Sequence, residues 1–219
     1  MKKNFAVIGL GVFGLSLLQE LVKFTDNIIA IDIDESQVKE ASLIVNQCFI
    51  MDSTDEKQLL SIGMDSVDHA VICFGGNLES IILTLVSLKN IGIKNITVRC
   101  DQDNYLPILN KLGATDIISP QKVAGIRLAN RLISESFTDY FEMTSDYCIV
   151  EVLVPSTMKT VRVIDLDTRN RFDVNIMLIN RDNKSFAPRA NDEIRANDKL
   201  FVLGKKTQIV KFTNSFLVD

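Results

Sequence analysis

Residues 9–14 read Gly-Leu-Gly-Val-Phe-Gly, directly after the apolar run "FAVI" and directly before a helix-like segment. This is G-x-G-x-x-G in the setting that gives the pattern a mechanism. Gly9 permits a tight turn out of a strand. Gly11 leaves no side chain in the path of a pyrophosphate, and Gly14 lets the helix pack closely on the strand. The free N–H groups and positive dipole at the start of that helix suit a phosphate. Asp32 ends the next apolar run, "NIIAID", at the distance where a carboxylate accepts hydrogen bonds from ribose hydroxyls. The same carboxylate would repel a 2′-phosphate. The alternative is that the glycines serve packing alone and Asp32 is a solvated strand end.

Two further loops belong to the same chemistry. Asp52-Ser53-Thr54 follows a third apolar run, and its carboxylate and hydroxyls suit an adenine amine; the competing role is helix capping, for which Thr54 is a candidate. Gly75-Gly76-Asn77 follows a fourth run and would approach phosphates, or simply turn. A hydride-transfer enzyme would also need an acid or base beside the cofactor. The lone histidine, His69, stands at the start of "HAVICF", at the wrong edge of a sheet for that role. No Ser–His–Asp set, spaced carboxylate pair or metal cluster is legible. A nucleotide site with nothing to react with it favours a sensor over a catalyst, and no catalytic residue is assigned.

These residues need elements to position them. "FAVIGL", "NIIAID", "QCFIMD", "HAVICF", "NITVRC" and "TDIISP" read as six strands, apolar on both faces as in a covered parallel sheet. Helices are expected at Phe13–Lys23, Asp34–Ala41, Asp55–Ile62, Leu78–Asn90 and Tyr105–Leu112. Strict alternation predicts right-handed crossovers and a doubly wound α/β sheet, with ligands at the carboxyl ends of the strands.

After Pro120 a longer helix is expected, about Gln121–Phe137. Ala124, Leu128 and Leu132 form one apolar stripe, while Val123, Ile126 and Ile133 lie off it. Two apolar directions fit either a helix buried in its own domain or a crossover helix at a dimer interface. Beyond the turn at Thr144–Tyr147 the grammar changes. "CIVEVLV", "FDVNIMLIN", "KSFAPRAND" and "DKLFVLG" read as strands with short helical pieces between them, forming a small α+β domain. Domains are therefore expected at 1–143 and 144–219.

Composition narrows the function. The chain has 219 residues, net charge −4 and no Lys/Arg run, which argues against nucleic acid as a partner. No apolar run approaches the roughly 18 residues of a membrane span. The amino-terminal apolar stretch runs straight into the glycines and is not read as a signal peptide. Cys48, Cys73, Cys100 and Cys148 are scattered in apolar segments with no CxxC pair, which fits free thiols in a reducing cytoplasm.

Taken together, "FAVIGLGVFG", "AIDID", "MDSTD", "KLGATDIISPQK" and the change of grammar near residue 145 resemble the RCK (KTN) family. The nearest likeness is to the cytosolic regulatory subunits of bacterial Ktr/Trk-type potassium uptake systems, over essentially the whole chain. The resemblance implies a Rossmann-like lobe that holds ATP or ADP, or NAD(H), without turning it over. It implies homodimers assembled into an octameric ring beneath a membrane-embedded Ktr-type potassium channel subunit, at the inner face of the cell membrane. Carried onto this chain, Gly9, Gly11, Val12, Phe13 and Gly14 would surround phosphates. Asp32 would take the ribose, Asp52 and Ser53 would face adenine, and Gly75 and Arg99 would complete the site. Two positions depart from the family pattern. Val12 stands where an arginine often reaches the terminal phosphate, and Gln121 where a glutamate often supports a divalent cation. Weak discrimination between ATP and ADP is expected.

The segment Val163–Asn180 resembles the family's cyclic di-AMP site. The matching residues are Ile164, Asp167, Arg169, Asn175 and Ile176, with Pro188 further on. A two-fold dimer would present one arginine to each phosphate of a two-fold-symmetric ligand. The apolar residues would wall the adenines, and Asp167 would orient Arg169. The alternative is a surface Asp–Arg pair beside core or dimer contacts. Two other functions remain alongside: a small NAD(P)-dependent oxidoreductase or redox sensor, and a free-standing cyclic-dinucleotide receptor.

Overall fold

A computed structural model describes residues 3–133 and 137–216. The chain divides into two compact units, Met1–Lys122 and Val123–Asp219.

The first unit contains β1 (Phe5–Ile8), α1 (Val12–Leu21), β2 (Ile28–Asp32), α2 (Glu35–Ala41), β3 (Gln47–Ile50), α3 (Glu56–Ser61), β4 (His69–Ile72), α4 (Leu78–Ile91), β5 (Asn95–Arg99), α5 (Leu106–Lys111) and β6 (Asp116–Ile118). All six strands stand where the apolar runs place them. They form one parallel sheet in the order β3-β2-β1-β4-β5-β6. This is the expected doubly wound architecture, with its switch point between β1 and β4. Two apolar cores cover the sheet. One joins Ala6, Ile8 and Ile72 to Leu59, Leu85 and Leu109 of α3, α4 and α5; the other joins Val7, Ala30 and Val71 to Leu15, Leu18 and Val38 of α1 and α2.

Capping explains the helix starts. Asp34 accepts from Ser36 N, and Asn77 from Ser80 N. Asp55, rather than Thr54, caps α3, accepting from Lys57 N and Gln58 N. Thr54 is occupied elsewhere: its N–H and hydroxyl both donate to Asp52.

A helix follows Pro120 as expected: α6 spans Pro120–Ile133. Of its predicted continuation, residues 134–136 lie outside the described residues, and Phe137 opens β7 (Phe137–Glu142). Val123, Ile126, Leu128 and Leu132 are all exposed, so their apolar faces are not buried within the single chain. The contact division falls before the change of grammar at 143/144. The reason is local: from Arg127 onward the chain is tied to β7 by an ion pair with Asp139 and by stacking over Phe141.

The second unit continues with β8 (Tyr147–Leu153), β9 (Val161–Arg162), α7 (Val163–Leu166), α8 (Thr168–Phe172), β10 (Val174–Arg181), β11 (Lys184–Phe186), β12 (Glu193–Ile194), β13 (Lys199–Lys205) and α9 (Lys206–Phe216). Its main sheet runs β11-β10-β13-β8-β7, antiparallel throughout. Thr144 turns the β7–β8 hairpin, its hydroxyl accepting from Tyr147 N. The core of this unit collects Val150, Val152, Val174, Leu200 and Val202 beneath Ile209 and Phe212 of α9.

Candidate functional site: a crevice at the sheet switch point

The carboxyl ends of β1, β2, β3 and β4 meet at a crevice of about 320 Å³. It is lined by Gly9, Asp32, Asp52, Ser53 and Gly75, with Ile31, Ile33, Met51 and Phe74 as apolar walls. Five residues singled out by spacing therefore share one cavity. The volume lies at the lower end of the range for small-molecule sites.

The glycine loop is held from several sides. Gly9 N–H donates to Ile31 O at 2.8 Å, and Cys73 N–H to Ile8 O at 2.7 Å. Gly9 has φ +93°, and an added Cβ would lie 2.7 Å from Phe74 N. Gly14 is fixed by packing, since its Cβ would lie 1.9 Å from Gly9 O. Gly11 differs: it caps α1 from just outside the helix with φ −65° and ψ −172°, and nothing lies within 4 Å of where its Cβ would be. Gly9 and Gly14 are thus required by the fold, whereas Gly11 faces open space at a helix amino end.

Asp32 does more than end a strand. Its Oδ2 accepts from Leu10 N–H at 2.6 Å, and its Oδ1 from Asp34 N–H at 2.9 Å. The carboxylate braces the glycine loop before any ligand arrives. Each oxygen keeps a lone pair for a hydroxyl. Asp52 Oδ1 accepts both Thr54 bonds, at 2.9 and 2.8 Å. Ser53 lines the crevice, but its hydroxyl is buried against Thr84 Oγ1 at 2.8 Å. Its side chain therefore joins the β3–α3 loop to α4.

Val12 is almost fully exposed in the first turn of α1, and Phe13 is half-buried beside it. Arg99 does not line the crevice. It lines a smaller adjoining pocket of about 110 Å³ that shares Gly75 with it. Its guanidinium lies 5.9 Å from the centre of the Phe13 ring and is paired with Asp101 at 3.1 Å. Burial pushes the nearby Cys73 thiol up to about 12, so it stays protonated and is a poor nucleophile. His69 sits at the opposite end of β4, its Nε2 2.8 Å from Thr97 Oγ1, away from the crevice.

In the second unit Ile164 N–H donates to Ala190 O at 2.9 Å, which places α7 beside the loop that carries Pro188. Asp167 separates α7 from α8 in a left-handed conformation, φ 44°. Its carboxylate, expected to orient Arg169, accepts instead from Asn170 Nδ2 at 2.6 Å. Arg169 is exposed on α8, which runs through Asp173, φ 54°, into the β10 residues Asn175 and Ile176. Ile164 and Asn175 are exposed; Ile176 and Pro188 are half-buried.

Comparison with known proteins decides the family. Residues 5–120 match the TrkA-N domain and residues 149–217 the TrkA-C domain. The chain belongs to the RCK family. It is 36% identical over 218 residues to Ktr system potassium uptake protein C of Bacillus subtilis (strain 168), covering 99% of each chain. It is 33% identical over 213 residues to Ktr system potassium uptake protein A of the same organism, covering 97% of this chain and 96% of that one. Among solved structures, the GsuK channel bound to NAD superposes with a TM-score of 0.66 at 11% identity, covering all of this chain and 40% of the other. At that identity the likeness concerns the fold. The two RCK segments fall one in each compact unit. No helix among the described residues is long and apolar enough to cross a membrane.

Proposed function

We propose that this chain is a cytosolic regulatory subunit of a potassium uptake system, controlled by ligands that it binds without consuming them. ATP or ADP occupies the crevice of the first unit. Its ribose hydroxyls meet Asp32, its adenine lies between Ile33 and Met51 with the amine toward Asp52, and its phosphates pass over Gly11. The observation that carries this reading is the crevice lined by Gly9, with a braced ribose acceptor at Asp32. The open amino end of α1 at Gly11, two residues after Gly9, supports the phosphate path although Gly11 itself does not line the crevice. The near full-length likeness to Ktr potassium uptake proteins supplies the physiological setting.

Cyclic di-AMP is the ligand of the second unit in a homodimer, with Arg169 meeting phosphate, Asn175 the base or phosphate, and Ile164, Ile176 and Pro188 the adenines. The exposed apolar residues of α6 support assembly into a larger ring beneath a membrane channel partner. A calorimetric panel of ATP, ADP, NADH and cyclic di-AMP tests the whole reading. Arg169→Ala should abolish cyclic di-AMP binding and spare ATP binding; unchanged cyclic di-AMP affinity would refute the second site. NADH consumption at 340 nm, about the wavelength at which the reduced cofactor absorbs, would replace the regulatory reading with an oxidoreductase.

A further inference from the structure

We infer that Asp101 is a positioning residue through which phosphate occupancy near Arg99 reaches Ser119, the residue immediately before α6. The inference rests on the nucleotide reading of the crevice and concerns how that occupancy leaves it.

The geometry is a short chain of polar contacts. Arg99 ends β5, and its side chain is only 19% exposed. Its Nε and Nη2 lie 3.2 and 3.1 Å from Asp101 Oδ2, and its Nη1 donates to Cys73 O at 3.4 Å. The guanidinium carbon lies 3.8 Å from where a Cβ on Gly75 would stand. The cation therefore sits between the first turn of α1, at Phe13, and the loop from β4 to α4. Among the residues lining the crevice and the adjoining pocket, it is the only lysine or arginine. Asp101 uses its other oxygen, Oδ1, to accept from Ser119 Oγ at 3.2 Å. Cys100 N–H donates to Ile118 O at 2.9 Å, which holds the two strand ends in register. Arg99, Asp101 and Ser119 thus form a line that stops one residue before Pro120, the start of α6.

The physics makes this line bistable. Arg99 presents several donors, and both donors aimed at Asp101 converge on one carboxylate oxygen. A phosphate carries more charge and several acceptor oxygens, so it competes for the same guanidinium. When Arg99 turns toward phosphate, Asp101 loses its cation. Its remaining protein partner is the Ser119 hydroxyl, so the carboxylate reorients at the root of α6. A ligand that leaves Arg99 on Asp101 moves nothing, because only differential interaction shifts an equilibrium.

The test uses the full-length chain with ADP, reading affinity by calorimetry and amide hydrogen exchange in the peptide covering residues 116–122. In the wild type, ADP should change exchange in that peptide. Asp101→Asn should release Arg99, tighten ADP binding about threefold to tenfold, and abolish the exchange response. Ser119→Ala removes one hydroxyl, should leave ADP affinity within about twofold, and should also abolish the response. Wild-type responses in both variants, or weaker ADP binding by Asp101→Asn, would overturn the coupling while leaving the nucleotide reading intact. A wild-type chain that takes up no adenine nucleotide would overturn both. Should Asp101→Asn fail to fold, the Ser119→Ala exchange response decides alone.

Discussion

Substituting Gly11 and Gly14 separately by alanine tells a nucleotide cradle from a packing device. The structure assigns the two glycines opposite costs. A Cβ on Gly14 would stand 1.9 Å from Gly9 O and 3.0 Å from Gly9 C. Comfortable non-bonded separations are about 3.5 Å, so the glycine loop and α1 must part by more than an ångström. Overpacking of this kind costs about 1–3 kcal/mol, and Gly9 cannot retreat freely because its N–H is bonded to Ile31 O. Gly14→Ala should therefore lower stability by roughly 2–3 kcal/mol and lose ADP binding through the displaced loop. Gly11 already has an extended backbone and empty space around its missing Cβ. Gly11→Ala should stay within about 0.5 kcal/mol of wild type. Its methyl nevertheless intrudes where the pyrophosphate would pass, so ADP affinity should fall at least about tenfold, or 1.4 kcal/mol. Urea denaturation followed by circular dichroism reads the first quantity and calorimetry the second. A Gly11→Ala variant that binds ADP as tightly as wild type would refute the phosphate path. A Gly14→Ala variant of wild-type stability would refute the packing argument.

The remaining predictions address specificity and stability. Because Val12 and Gln121 supply neither cation nor metal-binding carboxylate, ATP and ADP should bind with comparable affinities with and without Mg²⁺; a hundredfold Mg²⁺-dependent preference for ATP would contradict this. Because two backbone N–H bonds hold the Asp32 carboxylate in place, its negative charge should repel a 2′-phosphate, and NADPH should not displace ADP in a competition titration. In the second unit, Asp198 is almost fully buried and paired with Arg181 at 2.7 Å. Burial raises its carboxyl, but the bonds from Arg181 and from Arg195 N–H outweigh burial and hold it below the usual range. A depressed folded pKa contributes stability above the unfolded value of about 3.9 and loses it as pH falls through the folded value. This unit should weaken below about pH 4. Asp198→Ala should cost about 1–3 kcal/mol near neutrality by removing the acceptor of Arg181 and of Arg195 N–H, as read by thermal denaturation at both pH values.

The first unit was legible because parallel strands covered on both faces are apolar runs, and each run was followed by helix grammar. The second was harder. β7 carries Thr138, Asp139 and Glu142, too polar to stand out beside the runs of the first sheet; it is an edge strand, paired on one side only to β8. α9 is not among the elements expected from the sequence, although Ile209, Phe212 and Thr213 are buried along it at helical spacing. The placement of Gly9 and Asp32 at the crevice follows from motif spacing, because that spacing is set by one turn and one crossover. Arg99 did not resolve in the same way. Sequence places it at the right edge of the sheet, but only the fold shows that Gly75 stands between it and the crevice. Ser53 likewise has the right address and a different task, since its hydroxyl is spent on Thr84.

The bracing of Asp32 bears on where a signal can arise. A carboxylate that already holds Leu10 and Asp34 N–H groups leaves little closure for ribose to drive on the β1–β2 side. Gly14 against Gly9 leaves equally little play between α1 and its strand. On the proposed nucleotide reading, the half of the crevice that would take adenosine is preformed, and its occupancy would contribute affinity more than motion. The β4–β5 side differs. Gly75 and Asn77 are exposed, Gly76 has φ +88° with nothing within 4 Å of its missing Cβ, and Arg99 is held by an ion pair that a phosphate can replace. Ligands that share adenosine but differ in phosphate would then bind through the rigid half and be distinguished by the other. Adenosine itself should bind without altering hydrogen exchange at residues 116–122, while ADP alters it. Equal responses to the two would place the moving part on the adenosine side and remove the basis for this division.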